Sequence, residues 1–341
     1  MAIIDKPSDY FETVLWSSVD TSIDTLDFQP DWVWIKSRTN ADTQVLFDSV
    51  RGAGERLSSS SDGAESTKTD ELTAFNSDGF TLGTGSNVNR ASHTNVAWNW
   101  KAGGSASSNS NGTITSSVSA NTDAGFSIGT YNGSGSDNTV GHGLGVAPDM
   151  IIVKCKSTAH DWVVYHSALG NAKILTLNAT TVAQSAGGWQ STSPTSTVFS
   201  IDNAANSLNQ SGQSFVFYAM ASKKGYSKFG SYIANANVDG AFVYTGFKPA
   251  FLLIKNTSQA TDWIMYDNKR DGYEPQNKEF RANTSAAERN AEDNNVQFCA
   301  NGFKLRNAGT KSNADSGNTL IYMSFAEQPL VTSTGVPATA R

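Results

Sequence analysis

The chain has 341 residues and a formal net charge of −6, from 25 basic and 31 acidic side chains with no basic run, which argues against a phosphate-tracking surface and so against nucleic acid as a partner. No apolar stretch approaches the roughly 20 residues of a membrane-crossing helix, so membrane insertion is not expected. Glycine, serine, threonine and asparagine are abundant, charge is sparse and the aromatics cluster in short runs, the profile of an all-β protein with many turns.

The segment Met1 to Pro7 has neither the basic region nor the apolar core of a secretory signal, so assembly in a cytoplasm is expected. A first strand is predicted around Phe11 to Trp16. The second is Pro30-Asp31-Trp32-Val33-Trp34-Ile35-Lys36, and the chain writes it twice more, as Pro148-Asp149-Met150-Ile151-Ile152-Val153-Lys154 and Pro249-Ala250-Phe251-Leu252-Leu253-Ile254-Lys255. Proline is tolerated at a strand's first residue, and a four-residue apolar run ending in Val or Ile is strand-like. Apolar residues fill both alternating sets, which predicts a strand covered on both faces, with lysine at its solvated end.

Twelve residues after each lysine stand Asp48, His166 and Asp267, preceded by Phe47, Tyr165 and Tyr266, with Gln44, Trp162 and Trp263 three residues before those aromatics. Alternating strands follow at Gly79–Leu82, Val198–Ile201 and Gly302–Leu305. From their phenylalanines, 18, 18 and 19 residues lead to Trp98, Phe217 and Tyr322 in closing strands. Further opening strands fall at Phe126 to Tyr131 and Phe229 to Tyr232. Repetition at equal spacing outranks local propensity as evidence of architecture. The expected fold is all-β, three jelly-roll-like β-sandwich repeats in tandem over 1–102, 125–225 and 226–328, joined by a Gly/Ser/Asn-rich linker at 103–124 with an edge strand near Thr113 to Val118, and ending in an extended tail at 329–341.

In the first repeat the long polar loop from Gly52 to Asp70 is expected at the surface. In the third, Ser285-Ala286-Ala287-Glu288 has capping-box spacing and predicts a short helix running on to Asp293. Cys155 and Cys299 occupy unrelated positions of different repeats, which favours free thiols over a disulfide.

Candidate chemistry is thin. Gly141, Gly143 and Gly145 alternate in a turn, but they precede a strand and open no helix, so a phosphate loop is rejected. Asp48 with Arg51, and Asp267 with Arg270, read as exposed turn ion pairs, since the middle repeat has His166 and Leu169 there. His142, His160, Asp161 and His166 lack metal-ligand spacing. Asp62, Glu65, Asp70 and Glu71 are acids of a solvated loop, without a partner across a recognisable cleft. Trp162 and Trp263 share one repeat position; core packing explains them with fewest assumptions, and stacking on a glycan is the functional alternative. No catalytic, cofactor-binding or metal residue is assigned, and no cofactor is expected.

The phrases Phe28-Gln29-Pro30-Asp31-Trp32-Val33-Trp34-Ile35-Lys36, Val140-Gly141-His142-Gly143-Leu144-Gly145-Val146-Ala147-Pro148 and Tyr226-Ser227-Lys228-Phe229-Gly230-Ser231-Tyr232 resemble a family of uncharacterised structural or tail-fibre-type virion proteins of tailed bacteriophages, especially marine ones. The opening Ala2 to Phe11 and the closing Phe325 to Pro329 resemble it too. The resemblance implies a virion component without enzymatic activity, first of all a tail fibre or tail-associated adhesin. Its alternatives are a capsid decoration or head-fibre protein and, in another class, a glycan-degrading tail enzyme. The partners it implies are other virion proteins, further copies of the chain in a homo-oligomer, and a host surface glycan or receptor.

Overall fold

A computed structural model describes residues 3–17, 21–185, 187–203, 206–309 and 311–338. Among these the regular secondary structure is nearly all antiparallel strand, and the same large sheet is built three times. In the first segment its order is Phe11–Ser17, Thr94–Trp100, Trp32–Ser37, Val45–Asp48. In the second, Phe126–Asn132, Ser214–Met220, Met150–Cys155 and Val163–His166 take the same places, and in the third Ser227–Ile233, Thr319–Pro329, Phe247–Asn256 and Ile264–Asp267. A smaller sheet faces each one. In the first segment Leu72, Phe80 and Leu82 of the small sheet pack on Val33 and Ile35 of the large one, which makes a sandwich.

The proline-led strands are buried on both faces. Val33 and Ile35, Ile151 and Val153, and Leu252 and Ile254 point into the three sandwich cores. Their neighbours Trp32, Trp34, Met150, Ile152, Phe251 and Leu253 point the other way, into one cluster shared by all three segments. Sequence reading made each repeat a unit with its own core; the largest core lies between them. Trp32 stacks on Tyr218 at 4.5 Å between centroids, and Phe11 on Phe325 at 5.3 Å.

The closing strands correct the sequence register. Trp34 faces Trp98 across the ladder, but Ile152 faces Tyr218 and Leu253 faces Met323. The equivalents of Trp98 are therefore Tyr218 and Met323, not Phe217 and Tyr322. A slip of one residue moves a side chain to the opposite face; Phe217 and Tyr322 lie in the outer sandwich cores. There they meet glycine. Phe217 pairs with Gly129 and Tyr322 with Gly230, whereas the first segment pairs Ala97 with Val14. A Cβ on Gly129 would fall 2.3 Å from the Phe217 ring, and one on Gly230 would fall 2.7 Å from the Tyr322 hydroxyl. The same volume is filled from one strand or from the other.

Other expectations change. The linker contributes Ser107–Asn109 and Ser116–Asn121, which with Leu175–Thr176 at the opposite edge extend the second sheet to seven strands. The Gly52 to Asp70 loop keeps Asp62, Thr67 and Asp70 exposed, as expected, but also wedges toward the third segment: it forms a small hairpin and buries Ser59, whose hydroxyl donates to the Ala282 carbonyl at 2.7 Å. No helix forms at Ser285 to Asp293. Glu288 is drawn across the junction instead, its N–H donating to the Arg38 carbonyl at 2.9 Å and its carboxylate pairing with Arg38 at 2.8 Å. The tail, described to residue 338, folds back through a Val331–Pro337 bridge, and the Ser333 N–H donates to Asp5 at 2.6 Å.

Candidate functional site

The polar residues that repeat at equal spacing are the first place to look for chemistry, and each is buried at a junction. The Trp162 indole N–H donates to the Ser58 carbonyl at 2.8 Å, and that of Trp263 to the Thr176 carbonyl at 2.9 Å. Gln44, in the same repeat position, donates its amide to the carbonyl of Arg281 and, at 3.2 Å, to that of Thr284. The second segment is thus tied to the first, the third to the second and the first to the third. Trp162 is 0% and Trp263 1% exposed, so neither ring has a face for a sugar, and the glycan-stacking alternative for this pair is set aside.

A second closed set runs through Asp48, His166 and Asp267. Asp48 accepts from the Tyr218 hydroxyl at 2.7 Å, Asp267 accepts from the Trp98 indole at 3.0 Å, and His166 Nε2 lies 3.2 Å from the Tyr322 carbonyl. The Asp48–Arg51 and Asp267–Arg270 pairs, both 2.5 Å, are fully buried rather than exposed. A hairpin that looks like a surface turn is here covered by the neighbouring segment. The His166 Nδ1 accepts from the Ala168 N–H at 3.2 Å, and burial pushes the imidazole down to about 4, so it is neutral and donates through Nε2.

The repeated lysines complete the pattern and overturn the expectation of a solvated strand end. Lys36, Lys154 and Lys255 are buried. Lys36 Nζ donates to the Ser37 and Asn40 carbonyls at 2.9 and 3.0 Å, and Lys154 Nζ to those of Asp62 and His160 at 2.9 and 2.7 Å. Lys255 Nζ donates to the Asn256 carbonyl at 2.7 Å and the Thr180 carbonyl at 3.3 Å. Burial lowers all three ammonium groups to about 8. Lys154 and Lys255 each reach into the preceding segment, while Lys36 lies 5.5 Å from the Phe280 ring of the third.

The remaining sequence candidates do not converge. His142 is buried with Nε2 3.2 Å from the Thr195 carbonyl, and His160 Nε2 sits 2.6 Å from the Gln210 amide oxygen. Among the described residues no group of three His, Cys, Asp or Glu could hold a metal ion. Glu65 pairs with Arg51 at 2.8 Å and Glu71 with Arg56 at 2.9 Å, so these loop acids are neutralised one by one. Cys155 and Cys299 are free thiols.

What breaks the repeat is at the surface. After the hairpin strand, nine residues separate Asp48 from Leu57 and His166 from Leu175, but thirteen separate Asp267 from Phe280, although Leu57, Leu175 and Phe280 occupy the same ladder position. The extra length lies over 268–279 and borders a groove of about 330 Å³. Tyr273, at its rim, is 84% exposed. The loop is anchored: Asp271 accepts from the N–H groups of Asn277 at 2.6 Å and Lys278 at 2.8 Å, Glu274 accepts from the Phe298 N–H at 2.9 Å, and the Gln276 N–H donates to the Val296 carbonyl at 2.7 Å. Burial raises the Glu274 carboxyl above its usual range, and Glu327 adds to the rise.

A family model matches residues 6–329, from before the first opening strand to the last closing strand. The chain belongs to the DUF7483 family. That family is described as a domain of unknown function, so membership adds no site residue. No curated protein and no solved structure matches the chain. In this DUF7483 chain no described helix is long and apolar enough to cross a membrane. Sequence reasoning passed over Tyr273 because it belongs to no repeated position. The signal that could have found it is the longer interval between Asp267 and Phe280.

Proposed function

We propose that the chain is a non-enzymatic structural component of a tailed-phage virion, in the first place a tail fibre or tail-associated adhesin. One observation carries the non-enzymatic part: the polar residues repeated at equal spacing are buried and spent on bonds inside the body, most of them between segments, with Lys36 bonded within its own. Groups arranged to stabilise a transition state would converge on a reachable site; these are paired with one another and with carbonyls inside the body. What the scaffold offers outward is loops on a rigid base, the arrangement that recognition surfaces favour. The phage setting rests on the resemblance of the sequence phrases above, and the homo-oligomer and host-surface partners belong to the same proposal. Labelled antibody against the chain, imaged by electron microscopy on purified particles of the encoding phage, tests it. Label on the tail supports the adhesin, label on the head moves the chain to capsid decoration, and particles without label overturn the virion reading.

A further inference from the structure

We propose that the groove beside the 268–279 loop is a binding site for a neutral saccharide, with Tyr273 as its stacking platform. This deepens the adhesin reading, and the two fail separately, because sugar binding is measured on the isolated protein and location on the particle.

The case starts from what the groove lacks. Gln276 is 3% exposed; its amide N–H₂ donates to Glu274 at 3.0 Å, while its carbonyl oxygen has no donor. Asn268, which also borders the groove, likewise has a buried side-chain oxygen without a donor. A buried acceptor left unpaired costs about 1–3 kcal/mol; both oxygens are closed to solvent in the free structure, so a ligand's hydroxyl donors gain by pairing them as the Gln276 and Asn268 side chains turn toward the groove. Charge narrows the class. Asp271, Glu274 and Glu327 border the groove with only Lys248 and Lys269 against them. Lys248 is already paired with Glu327 at 3.0 Å, and Lys269 faces Glu12 at 3.7 Å. An anionic ligand would meet more carboxylate than free ammonium, and a purely apolar one would leave the amide oxygens orphaned. A neutral sugar ring carries hydroxyl donors on its edge and C–H groups on its face, the second matching an exposed aromatic ring. The volume, about 330 Å³, is at the small end of ligand sites and suits one or two rings. The anchored loop is preorganised, which lowers the cost of binding.

The test is saturation-transfer NMR on the full chain with galactose, mannose, glucose and N-acetylglucosamine at millimolar concentration, beside glucuronic acid and glucosamine as charged counterparts. The expected result is transfer to the ring protons of at least one neutral sugar, weakened about tenfold or more in Tyr273→Ala and retained in Tyr273→Phe. Tyr273 is so exposed that the alanine variant should fold normally, and Tyr244→Ala, which removes an exposed tyrosine elsewhere on the third segment, should bind like the parent. Transfer to none of the neutral sugars, transfer unchanged in Tyr273→Ala, equal loss in Tyr244→Ala, or preferential transfer to either charged sugar would overturn the proposal.

Discussion

The three buried lysines make the protein's stability depend on pH in an unusual direction. Lys36, Lys154 and Lys255 each present an ammonium to backbone carbonyls, and burial lowers each from 10.5 to about 8, partly offset by Asp42, by Asp62 and Asp161, and by Asp262 respectively. In the unfolded chain the same groups hold their protons up to the ordinary value. Between about pH 8 and 10.5 the unfolded state therefore binds more protons than the folded one, and stability rises with pH across that window. Below about pH 8 both states are protonated and the cost is complete. One unit of depression is worth about 1.4 kcal/mol, so each lysine costs on the order of 3 kcal/mol at neutral pH, and three together roughly 10 at most. Above pH 10 the trend reverses. The buried Tyr218, Tyr226 and Tyr266 are held well above their usual value by burial, so the unfolded chain ionises them first and the folded state loses ground. Thermal melts from pH 7 to 11 should show a midpoint that climbs to a maximum near pH 10. Lys36→Met, Lys154→Met and Lys255→Met should each remove about a third of the climb. A midpoint that is flat or falls between pH 8 and 10, or a slope untouched by the methionine variants, would refute the buried-ammonium reasoning.

Breaking one member of the closed polar sets should destabilise the whole chain. Asp48→Asn and Asp267→Asn each take the nearer of two carboxylates from a fully buried arginine, leaving Glu65 to Arg51 and Glu288 to Arg270, and should cost toward the lower end of about 3–5 kcal/mol by denaturant titration, with Tyr218→Phe costing about 1–3 kcal/mol; wild-type midpoints in the aspartate variants would contradict their burial. Gly129→Val should cost about 1–3 kcal/mol by forcing the Phe217 ring aside. Combined with Phe217→Ala it should cost less than the two changes summed, because the first segment uses that arrangement at Val14 and Ala97; strict additivity would contradict the shared volume. Ile151→Asp and Ile152→Asp should both be severe, several kcal/mol each, since one side chain enters the sandwich core and the other the shared cluster; a harmless change at either position would deny burial on that face.

Much of the fold was legible because strands declare themselves locally. A proline, an unalternating apolar run and a fixed interval to the next aromatic located the inner strand three times and predicted its two covered faces. What covers the inner face was not legible, since nothing local in Trp32 or Ile152 says that it meets another segment rather than its own sheet. The same blindness misplaced Lys36, Lys154 and Lys255, which read as solvated ends until the neighbouring carbonyls are known, and made buried Asp48–Arg51 look like a surface turn. The closing-strand register failed for a different reason: Phe215-Val216-Phe217-Tyr218 is apolar throughout, so no alternation says which residue faces inward. The candidate groove was legible only as a difference in length, because the residues that line it lie outside every repeated position.

The central claim is that three repeated segments form one body around a shared core and two closed sets of polar bonds, not three independent units. Differential scanning calorimetry of the intact chain tests it most directly. One body predicts a single transition whose calorimetric and van't Hoff enthalpies agree, with an enthalpy of roughly 240 kcal/mol at about 0.7 kcal/mol per residue. Two or three separated transitions, each with about a third to two thirds of that enthalpy, would contradict it.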